Sequence, residues 1–486
     1  MKKPALQIFF LFLFLLTNSC AINPVSGKRD FVLMNESSEI SMGRKYHPDI
    51  LKKFGKYDNP PLQEYIAKVG NRLAASSHRS NLIYRFTILD SADVNAFALP
   101  GGYIYITRGL LAYLNTEDEL AAVLGHEIGH VTARHGVRQQ TAATAANIGL
   151  AAGQIFLPEL RNQAATDTYG ILGGILLSKY SREHELQADT LSAQYLAKAG
   201  YNPMGIIEVL KVLKDHAAFM QKLAGSQGEK AHTYRGLFAS HPDTDTRIRH
   251  IINSVEPLKK RNKFKKKDPF PQILSGLIFG DRFSEGIRRG SRIYHGPLEF
   301  AVFFPGGWIL KNSSSSIEAF APAKTARIRL TVHDINKHIS CKEFLTYRLG
   351  FKNLRNGKKI SPHNLKGYTG LVQINGSTKK RFARVCLIFF NNRAYLLTGI
   401  AKDIYIQSEI DKKILQTGLS FHPLSKNEKS LAKPLKLKLI HASKTKYKKL
   451  AKKSPIPVDA ESYLRLLNQQ YPKGEPKPGQ LIKIVQ

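Results

Sequence analysis

The chain is poor in cysteine, in tryptophan and in acidic residues. Its 486 residues include three cysteines, one tryptophan and 37 aspartates and glutamates against 73 lysines and arginines, which gives a formal net charge of +36. So few cysteines exclude a cysteine-based zinc cluster, and no C-x-x-C redox pair occurs. Beyond the N-terminal segment, no apolar run is long enough to span a membrane. The length predicts two to four globular domains.

The N-terminus has the pattern of a signal peptide. Two lysines follow Met1, and an apolar run covers residues 5–16. This run is too short to span a bilayer comfortably, which favours export over membrane insertion. Cys20 follows directly and is a candidate acceptor for lipid, which would anchor the protein to a membrane. Ala21 rather than aspartate after this cysteine favours the outer membrane, and plain secretory cleavage is the alternative.

The excess of basic residues indicates which kinds of binding partner the protein would have. A strongly basic chain usually suggests nucleic acid, but an exported chain rarely meets it, so no nucleic-acid partner is predicted. Anionic lipid or cell-wall surfaces fit an envelope protein better. The basic residues concentrate in residues 259–267 and in residues 426–453, which hold eleven lysines. Simple solvation of both segments is the alternative.

The segment His126–His130 has the pattern H-E-x-x-H. Histidines at positions i and i+4 share one face of a helix and can bind one Zn²⁺. Glu127 lies between them and can take a proton from a zinc-bound water. Thr116 and Glu119 predict a capping box at the start of this helix, and Gly136 predicts its end. The alternative is a buried helix whose histidines make ordinary hydrogen bonds.

A catalytic zinc site usually has three protein ligands, and residues 181–189 offer the third. Glu185 and Asp189 share one helix face, so Glu185 can bind the metal and Asp189 can accept a hydrogen bond from a ligand histidine. Glu183 and His184 are rival ligands, although neither forms an i,i+4 pair with Asp189. A charged, solvated helix face is the alternative. The predicted cofactor is one Zn²⁺ per chain.

Four separated motifs together resemble one family. They are residues 94–107, the H-E-I-G-H segment, the Glu185-x-x-Ala188-Asp189 segment and Ser240-His241-Pro242-Asp243-Thr244. The residue types of these motifs and their order along the chain resemble those of the zinc metallopeptidase superfamily of HtpX, the CAAX prenyl protease and BepA. Residues 20–29 resemble the soluble, periplasmic BepA-like branch. The resemblance covers about residues 20–255 and implies His126, His130 and Glu185 as zinc ligands, with Glu127 as general base.

The same resemblance implies two further roles. His241 would reach the zinc as a regulatory fourth ligand that displaces water and holds the enzyme inactive. Asn95 and the strand Tyr103–Thr107 would form the edge against which an extended peptide substrate pairs. The alternatives are a loop histidine beside a turn-forming Pro-Asp, and an asparagine that only turns the chain.

The predicted fold class is α+β. Residues 1–20 form the signal peptide with its lipoprotein cysteine, and residues 21–255 form a zincin-type, mainly helical metalloprotease domain with a short edge-strand sheet. A basic linker (256–295), a small α/β accessory domain (296–425) and a basic module (426–486) follow. The last module resembles a degenerate LysM module, which binds cell-wall glycan, and a structural cap is the alternative. The Ala- and Gly-rich residues 138–180 would form either a mobile lid or a packed helical hairpin.

The cysteines that remain after Cys20 are Cys341 and Cys386. In an oxidising compartment they could pair, and two lone buried thiols are equally compatible with the sequence.

The predicted function is zinc-dependent endopeptidase action on misfolded or stalled outer-membrane and periplasmic proteins, by a periplasmic enzyme anchored to the outer membrane. The rival hypothesis is a chaperone or assembly factor for outer-membrane proteins with latent protease activity. A cell-wall-binding protein with a vestigial protease is a third, and the intact motifs argue against it.

Overall fold

The computed structural model describes residues 20–32, 34–144, 180–226, 241, 244–259, 268–374, 381–403 and 405–486. These belong to two compact units. The first combines residues 1–220, 233–279 and 436–486, and the second combines residues 221–232 and 280–435. The apolar part of the signal peptide and most of the stretch 138–180, with the lid or hairpin predicted there, lie outside the described residues. So does most of the basic run 259–267.

The helices, in chain order, are α1 (Glu36–Phe54), α2 (Pro60–Ala75), α3 (Arg108–Tyr113), α4 (Glu117–Thr132), α5 (Arg182–Lys198), α6 (Gly205–Ser226), α7 (Thr244–Lys259), α8 (Phe270–Ile273), α9 (Cys341–Glu343), α10 (Gln407–Leu419), α11 (Glu428–Leu431), α12 (Tyr447–Ala451) and α13 (Ala460–Leu467). Residues 135–144 are also helical. Within the described part of the chain, none of the helices combines the length and apolar character needed to cross a membrane.

The strands are β1 (Cys20–Ile22), β2 (Arg29–Phe31), β3 (Arg85–Leu89), β4 (Ala96–Leu99), β5 (Tyr103–Thr107), β6 (Ile278–Phe279), β7 (Ile287–Arg289), β8 (Arg292–His295), β9 (Phe300–Phe303), β10 (Ile309–Asn312), β11 (Ile317–Phe320), β12 (Ala326–Asp334), β13 (Arg355–Ile360), β14 (Lys366–Ile374), β15 (Arg381–Phe390), β16 (Arg393–Ala401), β17 (His422–Pro423), β18 (Leu435–His441) and β19 (Leu481–Val485). The mixture of helix and sheet agrees with the predicted α+β class.

The start of α4 follows the prediction in its N-cap, but the predicted capping box is incomplete, because the Glu119 carboxylate accepts from the Asn115 N–H at 2.7 Å rather than from that of Thr116. The predicted end of the helix is wrong. The Thr116 hydroxyl accepts a hydrogen bond from the Glu119 N–H at 3.1 Å, as an N-cap should. The helix ends at Thr132, and Arg134 rather than Gly136 takes the left-handed conformation, with a φ of 56°. This conformation is unfavourable for arginine. The buried carboxylate of Glu39 offsets the cost, because it accepts a hydrogen bond from Arg134 Nε at 2.6 Å.

Two glycines bring α4 and α5 close together. A Cβ atom on Gly125 would lie 2.7 Å from the Ser192 hydroxyl, and one on Gly129 would lie 3.0 Å from the Ala188 carbonyl oxygen. Larger residues at these positions would push the two helices apart. Ser181 caps α5 by accepting from the His184 N–H, and Gly200 follows its end with a φ of 77°, as predicted. The close packing sets the two zinc-motif helices at a fixed distance.

The sheet next to α4 has the order β3-β5-β4. β5 pairs in parallel with β3 and antiparallel with β4. The prediction that Tyr103–Thr107 is the edge strand is therefore wrong, because β5 is central and buried along its whole length. The edge next to α4 is β4 instead. Asn95 directly precedes this strand.

The C-terminal residues do not form a unit of their own. Residues 436–486 belong to the first unit, where β18 pairs with both β19 and β6. The strand, helix, helix and strand order of β18, α12, α13 and β19 thus packs into the same unit as α4. The boundary lies at 435/436 rather than at the predicted 425/426. β18 belongs to the first unit because it pairs with β6, a strand far earlier in the chain, and the amino-acid composition does not show this pairing.

The second unit contains a seven-stranded antiparallel sheet in the order β10-β11-β12-β16-β15-β14-β13 and a four-stranded sheet. The hairpin predicted at Asn391-Asn392 is present, and both residues have positive φ values, as this turn requires. The predicted α/β domain is therefore an antiparallel unit. Residues 268–295, predicted as linker, instead form α8, β6, β7 and β8.

Cys341 and Cys386 are both buried and both free. They belong to different hydrophobic clusters of the second unit. The structure therefore favours two lone thiols over the disulfide.

Candidate metal centre and active site

Four side chains from three parts of the chain converge in the first unit. His126 and His130 come from α4, Glu185 comes from α5, and His241 lies just before α7. One potential donor atom from each lies within 4.8 Å of all the others, and all four residues are buried. The structure thus brings together the three predicted ligands and the predicted fourth one.

Hydrogen bonds on the far side of the two α4 histidines decide which ring nitrogens carry protons. His126 Nδ1 lies 2.8 Å from a carboxylate oxygen of Asp189, so this nitrogen must be the donor. His130 Nδ1 lies 2.9 Å from His135 Nδ1, and His135 Nε2 lies 2.9 Å from the side-chain oxygen of Gln187. Because that oxygen only accepts, His135 carries its proton on Nε2 and accepts at Nδ1 from His130. In its neutral form, each of the two α4 histidines therefore keeps a bare Nε2.

The two bare Nε2 atoms lie only 3.0 Å apart, and His241 Nδ1 lies 3.3 Å from that of His126. Two lone pairs this close repel each other unless a cation lies between them. Nitrogens bound to one tetrahedral zinc at the usual bond length lie about 3.3 Å apart. The donor set, with two bare imidazole nitrogens and a carboxylate, therefore fits Zn²⁺, as predicted.

The charge states suit a metal ligand set. Burial by itself raises the pKa of Glu185, but the charges of His241 and Arg247 outweigh it and hold that pKa well below its usual range. Burial also holds the pKa of His130 well below its usual value. Glu185 is therefore a carboxylate and His130 a neutral imidazole, which are the forms that bind a metal.

Arg247 was not predicted. It comes from α7, is buried, and donates from Nε and Nη2 to the two carboxylate oxygens of Asp189, each at 2.8 Å. Its Nη1 lies 3.0 Å from a carboxylate oxygen of Glu185. Burial raises the pKa of Asp189, but Arg247 and His126 outweigh it and bring the pKa to about 2. One arginine thus fixes both acidic residues of α5, and no local sequence signal marks it.

Glu127 points to the same space with one oxygen free. Its Oε2 is buried and has no hydrogen-bond partner among the described residues, and its Oε1 lies 3.8 Å from His241 Nε2. Burial raises the pKa of Glu127 above its usual value. A carboxylate that holds a proton more readily can both accept and return one.

Two aromatic rings cover the histidines. Tyr180 stacks on His130 with ring centroids 3.9 Å apart, and His184 stacks on His135 at 4.1 Å. His184 therefore supports a neighbour of His130, and Glu183 is exposed, so neither rival ligand joins the donor cluster. Glu185, which forms the i,i+4 pair with Asp189, joins the cluster as predicted.

Asn95 lies at the start of the edge strand β4. Its backbone N–H donates to the Thr107 hydroxyl at 3.1 Å, while its side-chain oxygen is buried and has no partner in the described part of the chain. The residue therefore joins β4 to β5 at the end of the sheet.

Residues 60–255 match the sequence model of Peptidase family M48. The chain is 29% identical over 228 residues to the beta-barrel assembly-enhancing protease of Yersinia pestis, which covers 46% of this chain and 44% of that protein. It is 30% identical over 230 residues to the protein of the same name from Escherichia coli K12, with 45% of each chain covered. It is 30% identical over 234 residues to the mitochondrial metalloendopeptidase OMA1 of Schizosaccharomyces pombe, covering 47% of this chain and 64% of that protein. The chain spans about half the length of the curated relatives it matches.

Proposed function

We propose that this chain, whose residues 60–255 carry a Peptidase family M48 domain, is a zinc metalloendopeptidase of the cell envelope. Its substrates would be misfolded or stalled outer-membrane and periplasmic proteins. The observation that carries the activity is the pair of bare Nε2 atoms of His126 and His130, 3.0 Å apart and next to the free oxygen of Glu127. The names of the relatives support the substrate class.

The geometry assigns a task to each residue. A bound Zn²⁺ would polarise the scissile carbonyl and lower the pKa of a bound water. His126, His130 and Glu185 would hold it. Asp189 keeps His126 in the correct tautomer, and His135 does the same for His130. Glu127 takes the proton of the attacking water and returns it to the leaving amine.

The edge strand β4 provides a place for the substrate backbone. Among the residues that the structure describes, no strand pairs with its outer edge, and α4 packs beside it. An extended peptide that adds to this edge would lie along the helix that carries His126 and Glu127. Adding a strand recognises backbone rather than side chains, which suits an enzyme that acts on unfolded proteins.

His241 suggests that the resting enzyme is inactive. As a neutral imidazole, His241 would be the fourth protein donor of a tetrahedral zinc site, and no position would remain for water. Activity would then require that the His241 side chain leave the cluster, a local rearrangement of the kind that switches enzymes. His241→Ala should raise cleavage of an unfolded protein severalfold while zinc remains bound.

The activity is tested on the purified mature chain with casein as an unfolded substrate and with metal analysis. Wild type should bind one zinc and cleave slowly, through the fraction of molecules in which His241 has left the site. Glu127→Gln should bind the same zinc and lose at least about 1000-fold in rate, since Glu127 serves in both proton transfers. Glu183→Gln, a carboxylate on the exposed side of α5, is the matched control and should cleave normally. Absence of cleavage by both wild type and His241→Ala would refute the proposal.

The second candidate is an assembly factor for outer-membrane proteins in which proteolysis is secondary. The four-donor arrangement favours this second function, because a zinc site with four protein ligands has no position for water and is inactive until one ligand leaves. Glu127→Gln separates the two functions. If this variant still restores outer-membrane protein levels in cells that lack the wild-type protein, assembly is the main function.

The anchoring and surface contacts are part of the same proposal. Cys20 would carry lipid and hold the enzyme in the periplasm at the outer membrane, with the basic residues 426–453 facing anionic lipid or glycan. The LysM-like pattern of the tail suggests glycan. Cys20→Ser should move the protein from the membrane fraction to the soluble one. Absence of palmitate labelling in the wild type would refute the anchor.

A further inference from the structure

One face of the seven-stranded sheet in the second unit is covered by residues 335–354. The apolar side chains of this segment pack on the sheet around the buried Phe344 and Leu345. The segment includes a wide helical turn, in which the Leu349 N–H donates to the Phe344 carbonyl oxygen, five residues earlier, at 3.1 Å. Because the apolar side chains are turned towards the sheet, the charged side chains between them face outward and are exposed.

The exposed side of this segment is basic. Strand β13 adds Lys359, which lies opposite Tyr368 in its pairing with β14. Cross-strand partners share one face of a sheet, and Tyr368 packs against the cluster of Phe344, so Lys359 is on the same face as the segment. Five cations are therefore exposed on this face: Lys337, Lys342, Arg348, Lys352 and Lys359. We name these five residues, together with Tyr347, the cover surface.

The cations of the cover surface have little negative charge near them along the chain. Glu343 is the single acidic residue between positions 336 and 359. Its carboxylate accepts a hydrogen bond from the Ser340 N–H at 2.9 Å, which completes a capping box at the start of α9. Among the residues that the structure describes, none of the five cations forms an ion pair with a carboxylate. The surface is therefore free to attract anions.

Tyr347 lies among these cations with 80% of its surface exposed. Tyrosine next to lysine and arginine is typical of a surface that meets a membrane, where the ring lies at headgroup level and the cations contact phosphates. The five cations come from a loop, α9, the helical turn and an edge strand, so they form a layer rather than a single pocket. A small anion would contact only a few of them, whereas a layer of headgroups can contact them all.

We propose that the cover surface binds a membrane rich in anionic lipid, with its cations against the headgroup phosphates and Tyr347 among the headgroups. This contact goes beyond the proposed function, because it uses neither the metal centre nor the lipid on Cys20. It is also separate from the basic residues 426–453. Each lysine or arginine at such a membrane increases the affinity about fivefold, and added salt weakens the attraction.

Binding is measured by sedimentation of the Cys20→Ser chain, which lacks the acyl acceptor, with lipid vesicles. This chain should bind vesicles of phosphatidylglycerol and phosphatidylcholine mixed in equal amounts, and it should not bind vesicles of phosphatidylcholine alone. Adding Lys359→Gln should weaken the binding about fivefold, and adding Lys342→Gln as well should weaken it about 25-fold. The matched control for Lys359→Gln is Lys412→Gln, an exposed lysine of α10, which should bind as before.

The control lysine belongs to the other side of the sheet. The helix α10 packs in the cluster that contains Cys386, whereas the neighbouring Leu387 belongs to the cluster of residues 335–354, and adjacent residues of a strand face opposite ways. Lys359→Gln and Lys412→Gln remove the same charge, so a general effect of the net charge would weaken binding equally in both. Equal weakening, unchanged binding by Lys359→Gln, or no binding by the starting chain would overturn the proposal.

Tryptophan fluorescence shows which side chain reaches the lipid. Tyr347→Trp and Tyr405→Trp place the ring where tyrosine is 80% and 84% exposed, and the native Trp308 is 8% exposed. Brominated lipid in the anionic vesicles should quench the fluorescence of Tyr347→Trp and leave that of Tyr405→Trp unchanged. Equal quenching of the two variants would overturn the proposal. Polyglutamate tests a soluble acidic polymer as the partner: if Lys359→Gln weakens its binding and the vesicles do not quench Tyr347→Trp, the surface takes an acidic polymer and the lipid assignment is wrong.

Discussion

Lys483 joins the C-terminal end of the chain to the catalytic helix. It lies in β19 with 2% of its surface exposed. Its ammonium donates to the carbonyl oxygens of Ala112 at 2.5 Å and of Leu114 at 2.9 Å. These carbonyls end α3, directly before α4 begins. The neighbouring Gln469 donates to the carboxylate of Glu119 in the first turn of α4 at 2.7 Å.

The substitution Lys483→Met keeps the buried hydrocarbon chain and removes the charge. Two buried carbonyl oxygens then lose their donor, at about 1–3 kcal/mol each. Burial raises the pKa of Glu119 to about 7 and lowers that of Lys483 to about 7, so each depends on the other's charge to remain ionised. The two carbonyl oxygens together therefore cost about 2–6 kcal/mol, and we expect a loss of about 3–5 kcal/mol, in the middle of that range.

Calorimetry on the zinc-loaded chain measures the effect, because the transition of the first unit is the one that rises with added zinc. Lys483→Met should lower that transition by about 6–10 °C, as each kcal/mol corresponds to roughly 2 °C in a unit of this size. Lys438→Met, an exposed lysine on the neighbouring strand β18, is the matched control and should shift it by less than about 1 °C.

A second substitution tests the charge argument. Lys483→Met with Glu119→Gln removes both charges and should recover about 1–2 kcal/mol relative to Lys483→Met alone. A loss below about 1 kcal/mol in the single variant would contradict the reasoning. It would mean that the C-terminal segment contributes little to the unit that holds the metal centre.

Three further outcomes are expected. Arg247→Lys keeps a charge but loses the paired hydrogen bonds to Asp189, so zinc affinity should fall about 10–100-fold in competition with a chelator. Unchanged affinity would show that Asp189 positions His126 without help from Arg247. Burial lowers the pKa of His216 to about 4, so its contribution to stability is complete above its unfolded value and is lost as the pH falls from about 6.5 to 4. The loss is about 3 kcal/mol, and urea titrations across this range should show a smaller pH dependence in His216→Gln. Because burial raises the pKa of Cys341 and of Cys386 to about 11, both should react with a thiol reagent only after unfolding, and a linked peptide in a non-reducing map would contradict this.

Much of the metal centre was predictable because its rules are local. The i,i+4 spacing within α4 and within α5 depends only on helical geometry, and it selected His126, His130, Glu185 and Asp189 before any packing was known. The helix starts at Thr116 and Ser181 were predictable from equally local signals, since each capping side chain accepts a hydrogen bond from a backbone N–H three residues away. His241 and Asn95 came from resemblance to a family rather than from geometry.

Other features depend on contacts between distant segments. Arg247 lies far along the chain from Asp189, and only the packing of α7 against α5 places its guanidinium on that carboxylate. Arg134 ends α4 in place of Gly136 because Glu39, from α1, stabilises a backbone conformation that propensity disfavours. The edge position of β4 likewise follows from strand order, which alternation of apolar residues does not encode.

The amino-acid pattern was enough to identify the chemistry: the metal-binding residue types, their helical spacing and the base between them. The surroundings of these residues follow from tertiary packing. It placed Arg247 behind the ligands and the C-terminal strand β19 against the loop before α4. The two differ in the sequence separation of the interacting residues. Backbone hydrogen bonding in a helix relates residues three or four positions apart, whereas burial and charge pairing select partners from the whole chain.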